Sequence, residues 1–225
     1  MSLGENNVAN QRRLTLESEE LAGDLRQLAE QLGSAESVTD LAGAVPGGGF
    51  ETVRSLSQLR DFLGEYQRDV LYARELELIQ RAFLHASRNE VRELIALDEE
   101  MSREPGVQRF ATASLYVGKC QLRRLRPLKD HRVVQRYLTA IEGGKAKGWH
   151  LIVYGIVLAV YSLPLRQGLV NYGSQTMQGF INAAARRLAL AERACDDLHE
   201  EVCGTLLPAV EKVVAPAFPK KFQVV

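Results

Sequence analysis

The most apolar part of the 225-residue chain runs from Leu151 to Leu163, where only Tyr154, Gly155, Tyr161 and Ser162 interrupt the hydrophobic residues. A membrane span needs about 20 consecutive apolar residues, so this run is too short to cross a bilayer and reads as the central helix of a soluble core. Pro164 stands where a second helix begins, because proline is tolerated in a first turn. Beyond it Leu165, Leu169, Tyr172, Thr176, Phe180 and Ala183 recur at helical spacing.

The same periodicity organises the rest of the chain. Residues 1–13 are polar and predict a disordered N-terminus. Thr15 with Glu17, Glu19 and Glu20 reads as a helix start, with acids at the positive end of the dipole. Its stripe is Leu21, Leu25, Leu28 and Leu32, and Gly33 stops it. The segment Pro46-Gly47-Gly48-Gly49-Phe50 breaks regular structure. A long helix follows through Leu56, Leu59, Leu63, Tyr66, Val70, Ala73, Leu76, Ile79 and Phe83. Asn89 to Arg103 is a charged helix that ends at Pro105-Gly106, and Val107 to Leu125 is another that ends at Pro127. Asp130 is expected to cap a shorter helix to Glu142, with Gly143 to Gly148 as a flexible loop. Ala191 to Ala215 makes the last helix through Leu198, Val202, Leu206 and Val210, which Pro208 should kink or divide. Residues 216–225 form an irregular tail. Apolar and polar residues nowhere alternate convincingly at period 2. The expectation is an all-α, single-domain helical bundle over residues 14–215 around a central buried apolar helix.

Charge narrows the function classes. There are 28 basic and 28 acidic residues, so bulk charge gives no support to nucleic-acid or membrane binding. The three cysteines, Cys120, Cys195 and Cys203, cannot all pair internally, which suits a reducing compartment. The first residues carry no apolar signal-peptide core, so a cytoplasmic protein is expected. Locally the charge is uneven. Lys119, Arg123, Arg124, Arg126, Lys129, Arg132 and Arg136 face one acid, Asp130, over residues 119–136. Residues 90–104 are the reverse, with Glu90, Glu93, Asp98, Glu99, Glu100 and Glu104 against Arg92 and Arg103. Either two solvated helices pair with each other, or the basic one is a docking surface for an acidic partner. Nucleic acid is not expected, because no exposed aromatics interleave with the cations.

Candidate chemistry is sparse. Gly43 and Gly48 have the spacing of a phosphate-binding loop, but Gly49 stands where its lysine belongs and no Ser or Thr follows. Cys195, His199 and Cys203 share one helix face and are weak metal candidates. Eight helical residues rise about 12 Å, so one Ni²⁺ or Zn²⁺ ion could take only two of the three. The other reading is structural, since cysteine is a common small buried hydrophobe. His85 and His131 read as surface or cap residues, and His150 as a hydrogen-bonded residue at the start of the apolar helix. No Ser–His–acid, paired-carboxylate or Cys–His grouping supports an enzyme.

The order His150, Tyr154-Gly155, Leu163-Pro164-Leu165, Tyr172, Ala183-Ala184-Ala185-Arg186 and Leu190 resembles the urease accessory protein F (UreF) family of helical nickel-insertion chaperones. Val45-Pro46-Gly47-Gly48-Gly49-Phe50 is similar to that family's N-terminal glycine motif. Val117-Gly118-Lys119, with Leu122 and Leu125, is similar to its middle helix. The resemblance implies a non-enzymatic scaffold with no cofactor of its own. It implies a homodimer that binds the H- or D-type accessory protein, recruits the G-type GTPase and serves apo-urease in metallocentre assembly. Pro46, Gly48, Phe50, His150, Tyr154, Tyr172 and Gln175 are the partner-binding residues it suggests. The chain departs from the pattern at Glu51-Thr52-Val53-Arg54, at Ala189-Leu190-Ala191-Glu192 and in the tail from Phe218. The alternative is therefore a helical protein-interaction adaptor that keeps the fold without a urease role.

Overall fold

The computed structural model describes residues 50–103 and 111–215, and among these there are helices and turns but no strand. The expected segments 1–13, 14–33 and 216–225, and the turn at Pro105-Gly106, lie outside the described residues. After a 3₁₀ turn, Phe50–Thr52, the chain enters α1 (Leu56–Tyr66), a π-helical segment (Gln67–Glu75) and α2 (Leu76–Ser87) as one continuous rod. There follow α3 (Val91–Arg103), α4 (Ala111–Leu125), α5 (Arg132–Glu142), α6 (His150–Val160), α7 (Leu165–Leu188), α8 (Glu192–Cys203) and α9 (Leu206–Val214).

Helix α6 is the centre. Every residue from His150 to Leu158 is buried. A helix apolar all round must be surrounded, and α2 and α4 cover it most closely, with α3 and α7 adding further contact. Each fully buried Leu, Ile or Val contributes about 1.5–3 kcal/mol, so this one helix supplies much of the drive to fold. The approach of α2 depends on Gly155, where a Cβ would lie 2.7 Å from the Ile79 carbonyl oxygen and 2.7 Å from Ala82 Cβ. Helix α7 starts just after Pro164, its N-cap, and buries Leu165, Leu169, Tyr172, Thr176 and Phe180 as the spacing predicts.

Several expectations change. The stripe of the long rod slips at the π segment, where one extra residue per turn separates Val70 and Leu71 from the next buried pair, Glu75 and Leu76. Ala73 is consequently exposed. Asp130 does not cap α5; His131 holds the N-cap position, with no side-chain bond. The last helix does divide, but at Gly204-Thr205 rather than at Pro208. Proline cannot donate to the carbonyl four residues back, so the ladder opens at residue 204 and Pro208 sits in the first turn of α9, where no donor is needed.

The loop at residues 143–148 is pinned rather than flexible. Asp98, 1% exposed, accepts from the backbone N–H of Lys147 (2.7 Å) and of Gly148 (2.9 Å) and from the Tyr137 hydroxyl (2.7 Å). Trp149 Nε1 donates to Ser102 Oγ (2.9 Å), whose hydroxyl donates to the Asp98 carbonyl (2.8 Å). This clamp fixes where α6 begins. Among the described residues no ion pair joins the acidic segment to the basic one. Among the described residues the acids of residues 90–100 meet His85, Arg81 and Arg103 instead.

Candidate functional site

Of the residues singled out by the family pattern, Phe50, His150, Tyr154 and Tyr172 lie in the interior. Ser55 caps α1 by accepting from the Gln58 N–H (3.2 Å), which sets the rod so that Phe62 and Tyr66 face inward. Phe50 is buried against them. Ring centroids lie at 5.4 Å for Phe50–Phe62, 5.2 Å for Phe62–Phe180 and 4.7 Å for Tyr66–Phe180. Arg187, from the last turn of α7, stacks over the Phe50 ring at 4.8 Å and donates to the carbonyls of Phe50 and Val53. The glycine motif's phenylalanine therefore anchors the start of the described chain to α7.

A polar chain runs through the core beside this cluster. His150, in the first turn of α6, pairs through Nδ1 with Ser114 Oγ of α4 (2.7 Å) and through Nε2 with the Tyr172 hydroxyl of α7 (3.1 Å). Ser114 Oγ also accepts the His150 backbone N–H (3.3 Å). Tyr66 donates to Glu75 Oε1 (2.9 Å), while Glu75 Oε2 has no hydrogen-bond partner. Tyr172 lies near enough to feel the Glu75 charge, which helps push its hydroxyl up, though burial is the larger cause. Tyr154 donates to the Gly168 carbonyl (2.9 Å) and packs at 5.2 Å from the Tyr172 ring.

Burial decides the charge states. It pushes the Glu75 carboxyl up to about 7, against the lowering effect of its tyrosine neighbours. It pulls His150 down to about 3, so the imidazole is neutral. A neutral imidazole has one donor and one acceptor nitrogen, and it has two hydroxyl partners. The ring is saturated, and its histidine role is to tie α4, α6 and α7 together rather than to carry protons at neutral pH.

Phe50, His150, Tyr154 and Tyr172 are thus interior, 4%, 0%, 1% and 1% exposed. In this conformation their side chains are not a surface. Gln175 is half-buried on α7, and Pro46 and Gly48 lie outside the described residues. Glu75, Ser114 and Asp98 were not singled out by sequence. Glu75 left a trace, an acid spaced four from both Leu71 and Ile79 on an apolar stripe. Ser114 left none.

Of the metal candidates, His199 and Cys203 come together, in a hydrogen-bonding contact. His199 Nε2 lies 3.2 Å from the Ser174 carbonyl oxygen. A carbonyl only accepts, so this nitrogen carries the proton and offers no lone pair. Cys203 Sγ is 3.3 Å from the same nitrogen. Burial pushes the Cys203 thiol up; burial, then Asp196 and Glu192, do the same to Cys195. No group of three or more His, Cys, Asp or Glu side chains that could hold a metal occurs among the described residues.

The fold and its interior define an all-α scaffold held around one buried helix, and no described helix is long and apolar enough to cross a membrane. The chain belongs to the UreF family: the family model UreF matches residues 53–201, well over half of its length. That places it among urease accessory proteins. No curated protein matches the sequence.

Proposed function

We propose that this chain is a nickel-insertion chaperone scaffold of the UreF type, which assists GTP-dependent assembly of the urease metallocentre by binding other proteins rather than by catalysis. Its partners on this reading are the H- or D-type accessory protein, the G-type GTPase and apo-urease, and it acts as a cytoplasmic homodimer without a cofactor. The observation that carries the reading is the UreF match over residues 53–201, which spans α1 to α8 almost entirely. One feature supports it: buried polar side chains of the matched region are joined in internal networks around His150 and Asp98, which suits a rigid platform.

The test is reconstitution. Purified chain is mixed with the cognate H- or D-type and G-type proteins, apo-urease, Ni²⁺ and GTP, and urease activity is followed. Activation that depends on this chain is expected, together with a dimer in size-exclusion chromatography with light scattering. A chain that captures neither accessory partner and adds nothing to activation would replace this reading by that of a helical adaptor without a urease role.

A further inference from the structure

Outside the core, the surface between α4 and α5 opens into a groove of about 530 Å³. Its floor is apolar: Leu115 and Leu122 of α4 oppose Leu138 and Ile141 of α5. Its rim is basic, with Lys119 and Arg123 on α4, Arg126 just past the end of α4, and Lys147. Arg126 reaches across to Glu142 of α5 (2.5 Å), which ties the walls together and uses the rim's one acid. Lys119, Arg123 and Lys147 have no acidic partner among the described residues. The position of Lys147 is fixed, because Asp98 holds its backbone N–H and its ammonium lies 5.9 Å over the Trp149 ring. Tyr116, also on α4 and one turn before Lys119, is 60% exposed.

Three cations without an acidic partner around leucines give this surface a net positive rim. Among the described residues no acid offsets their charge. Leucine and isoleucine side chains from two neighbouring helices make the kind of apolar seat that accepts a third helix. We propose that this groove receives an acidic amphipathic helix of a partner protein, with apolar residues at i, i+3, i+4 and i+7 laid on the leucine floor and carboxylates facing Lys119, Arg123 and Lys147. The proposal rests on the reading that the chain acts by association, and names the surface through which it does so. Charge complementarity sets the sign of the partner; the apolar floor sets its helical, one-sided form.

The probe is a fluorescein-labelled synthetic helix of about five turns, leucine on one face and glutamate on the other, against a copy with lysine in place of glutamate. Anisotropy is measured with the full chain, with Lys119→Glu/Arg123→Glu, and with Arg68→Glu, a remote exposed cation, as a control. Circular dichroism confirms that each variant is folded. The acidic helix is expected to bind; the double variant and a rise from about 0.05 to 0.3 M salt should each weaken it by about tenfold or more. Arg68→Glu should leave it unchanged, and the lysine helix should not bind. Equal binding of both helices, or no effect of the double variant, overturns the proposal. So does binding of anionic lipid vesicles or RNA, lost in the double variant, without binding of the acidic helix. Light scattering that shows the helix splitting a dimer assigns the groove to a second copy of the chain and overturns the partner assignment. Capture of an H- or D-type accessory protein by the double variant at wild-type strength would remove the groove while leaving the accessory reading intact. Failure of wild-type chain to capture any accessory partner, with peptide binding preserved, would do the reverse.

Discussion

Gly118 and Gly148 meet backbone to backbone: a Cβ built on Gly118 would lie 2.0 Å from the Gly148 carbonyl oxygen and 3.2 Å from the His150 nitrogen. Helix α4 touches the start of α6 at this point with no room for a side chain. Gly148 itself has φ +82°, a conformation that side-chain-bearing residues rarely adopt. Gly118→Ala must therefore push α4 off α6 and disturb Ser114 Oγ, which sits one turn away on His150. The expected cost is about 3 kcal/mol or more, at the upper end for overpacking. Urea denaturation followed by circular dichroism should show a lowered midpoint with the slope unchanged. A midpoint within error of the parent would mean that the two backbones are not in contact.

The opposed shifts of Glu75 and His150 make a specific pH signature. The Glu75 carboxyl, raised from 4.5 to about 7, binds a proton in the folded state that it lacks unfolded between those values. Its contribution is complete below 4.5 and is lost as pH rises through 7. His150, lowered from 6.5 to about 3, is neutral when folded and charged when unfolded between those values. Its contribution is complete above 6.5 and is lost as pH falls through 3. Each has a slope of about 1.4 kcal/mol per pH unit, with opposite sign, so between 4.5 and 6.5 they cancel. Glu75→Gln removes one arm. The variant should lose stability on acidification below pH 6.5 relative to the parent, by about 2–3 kcal/mol at pH 4.5. Thermal unfolding of both proteins across this range measures it, and parallel curves would show that Glu75 does not hold its proton.

Asp98 carries the start of α6 through three bonds, two of them to backbone N–H groups. Bonds to a charged acceptor contribute about 1.5–3 kcal/mol each, and an orphaned buried donor adds its own penalty. Asp98→Ala should cost about 4 kcal/mol, whereas Tyr137→Phe, which leaves both backbone bonds in place, should cost about 1–2 kcal/mol. In a double-mutant cycle the second change should add little to the first, because both remove the same bond. Full additivity would mean that Tyr137 and Asp98 do not interact. Amide exchange at Gly148 should also quicken in Asp98→Ala and stay slow in Tyr137→Phe.

What the sequence revealed followed periodicity, and what it hid followed tertiary contact. Leu151 to Leu158 could be placed at the centre because an uninterrupted apolar run has one physical solution, burial on all sides. The stripe from Leu165 to Phe180 was equally plain. The phase slip at residues 67–75 was not, because a π segment inserts a residue that a 3–4 template steps over, and Ala73 took the place in the pattern that belongs to Glu75. The pinned loop was hidden for another reason. Asp98 sits among Glu99, Glu100 and Glu93 in a run that reads as solvated, and only the fold brings Lys147 and Gly148 to it. His150, Tyr154 and Tyr172 meet in one interior network, and spacing alone does not separate a contact surface from the bonds that hold the platform together.

That distinction yields a last prediction, from the contrast between Tyr172 and Gln175 on the same helix. Tyr172 is 1% exposed and its hydroxyl meets His150 Nε2; Gln175 is half-buried with its side chain nearer the surface. If α7 serves as a platform, Tyr172→Phe should act through stability. Removing the hydroxyl leaves a buried imidazole nitrogen without its partner and costs about 1–3 kcal/mol. Well below the melting temperature, however, the folded fraction remains near one, because a domain of ordinary stability has about 5–15 kcal/mol to lose. Capture of an accessory partner at low temperature should then be unchanged, and should fail only as the variant approaches its own lowered melting point. Gln175→Ala should behave in the opposite way, with a melting temperature near that of the parent and weakened capture wherever α7 is in the contact. Melting curves and pull-downs at two temperatures on both variants decide it. Weakened capture by Tyr172→Phe in the cold, with the protein fully folded, would mean that α7 turns its tyrosine outward on binding and that the interior network opens when a partner arrives.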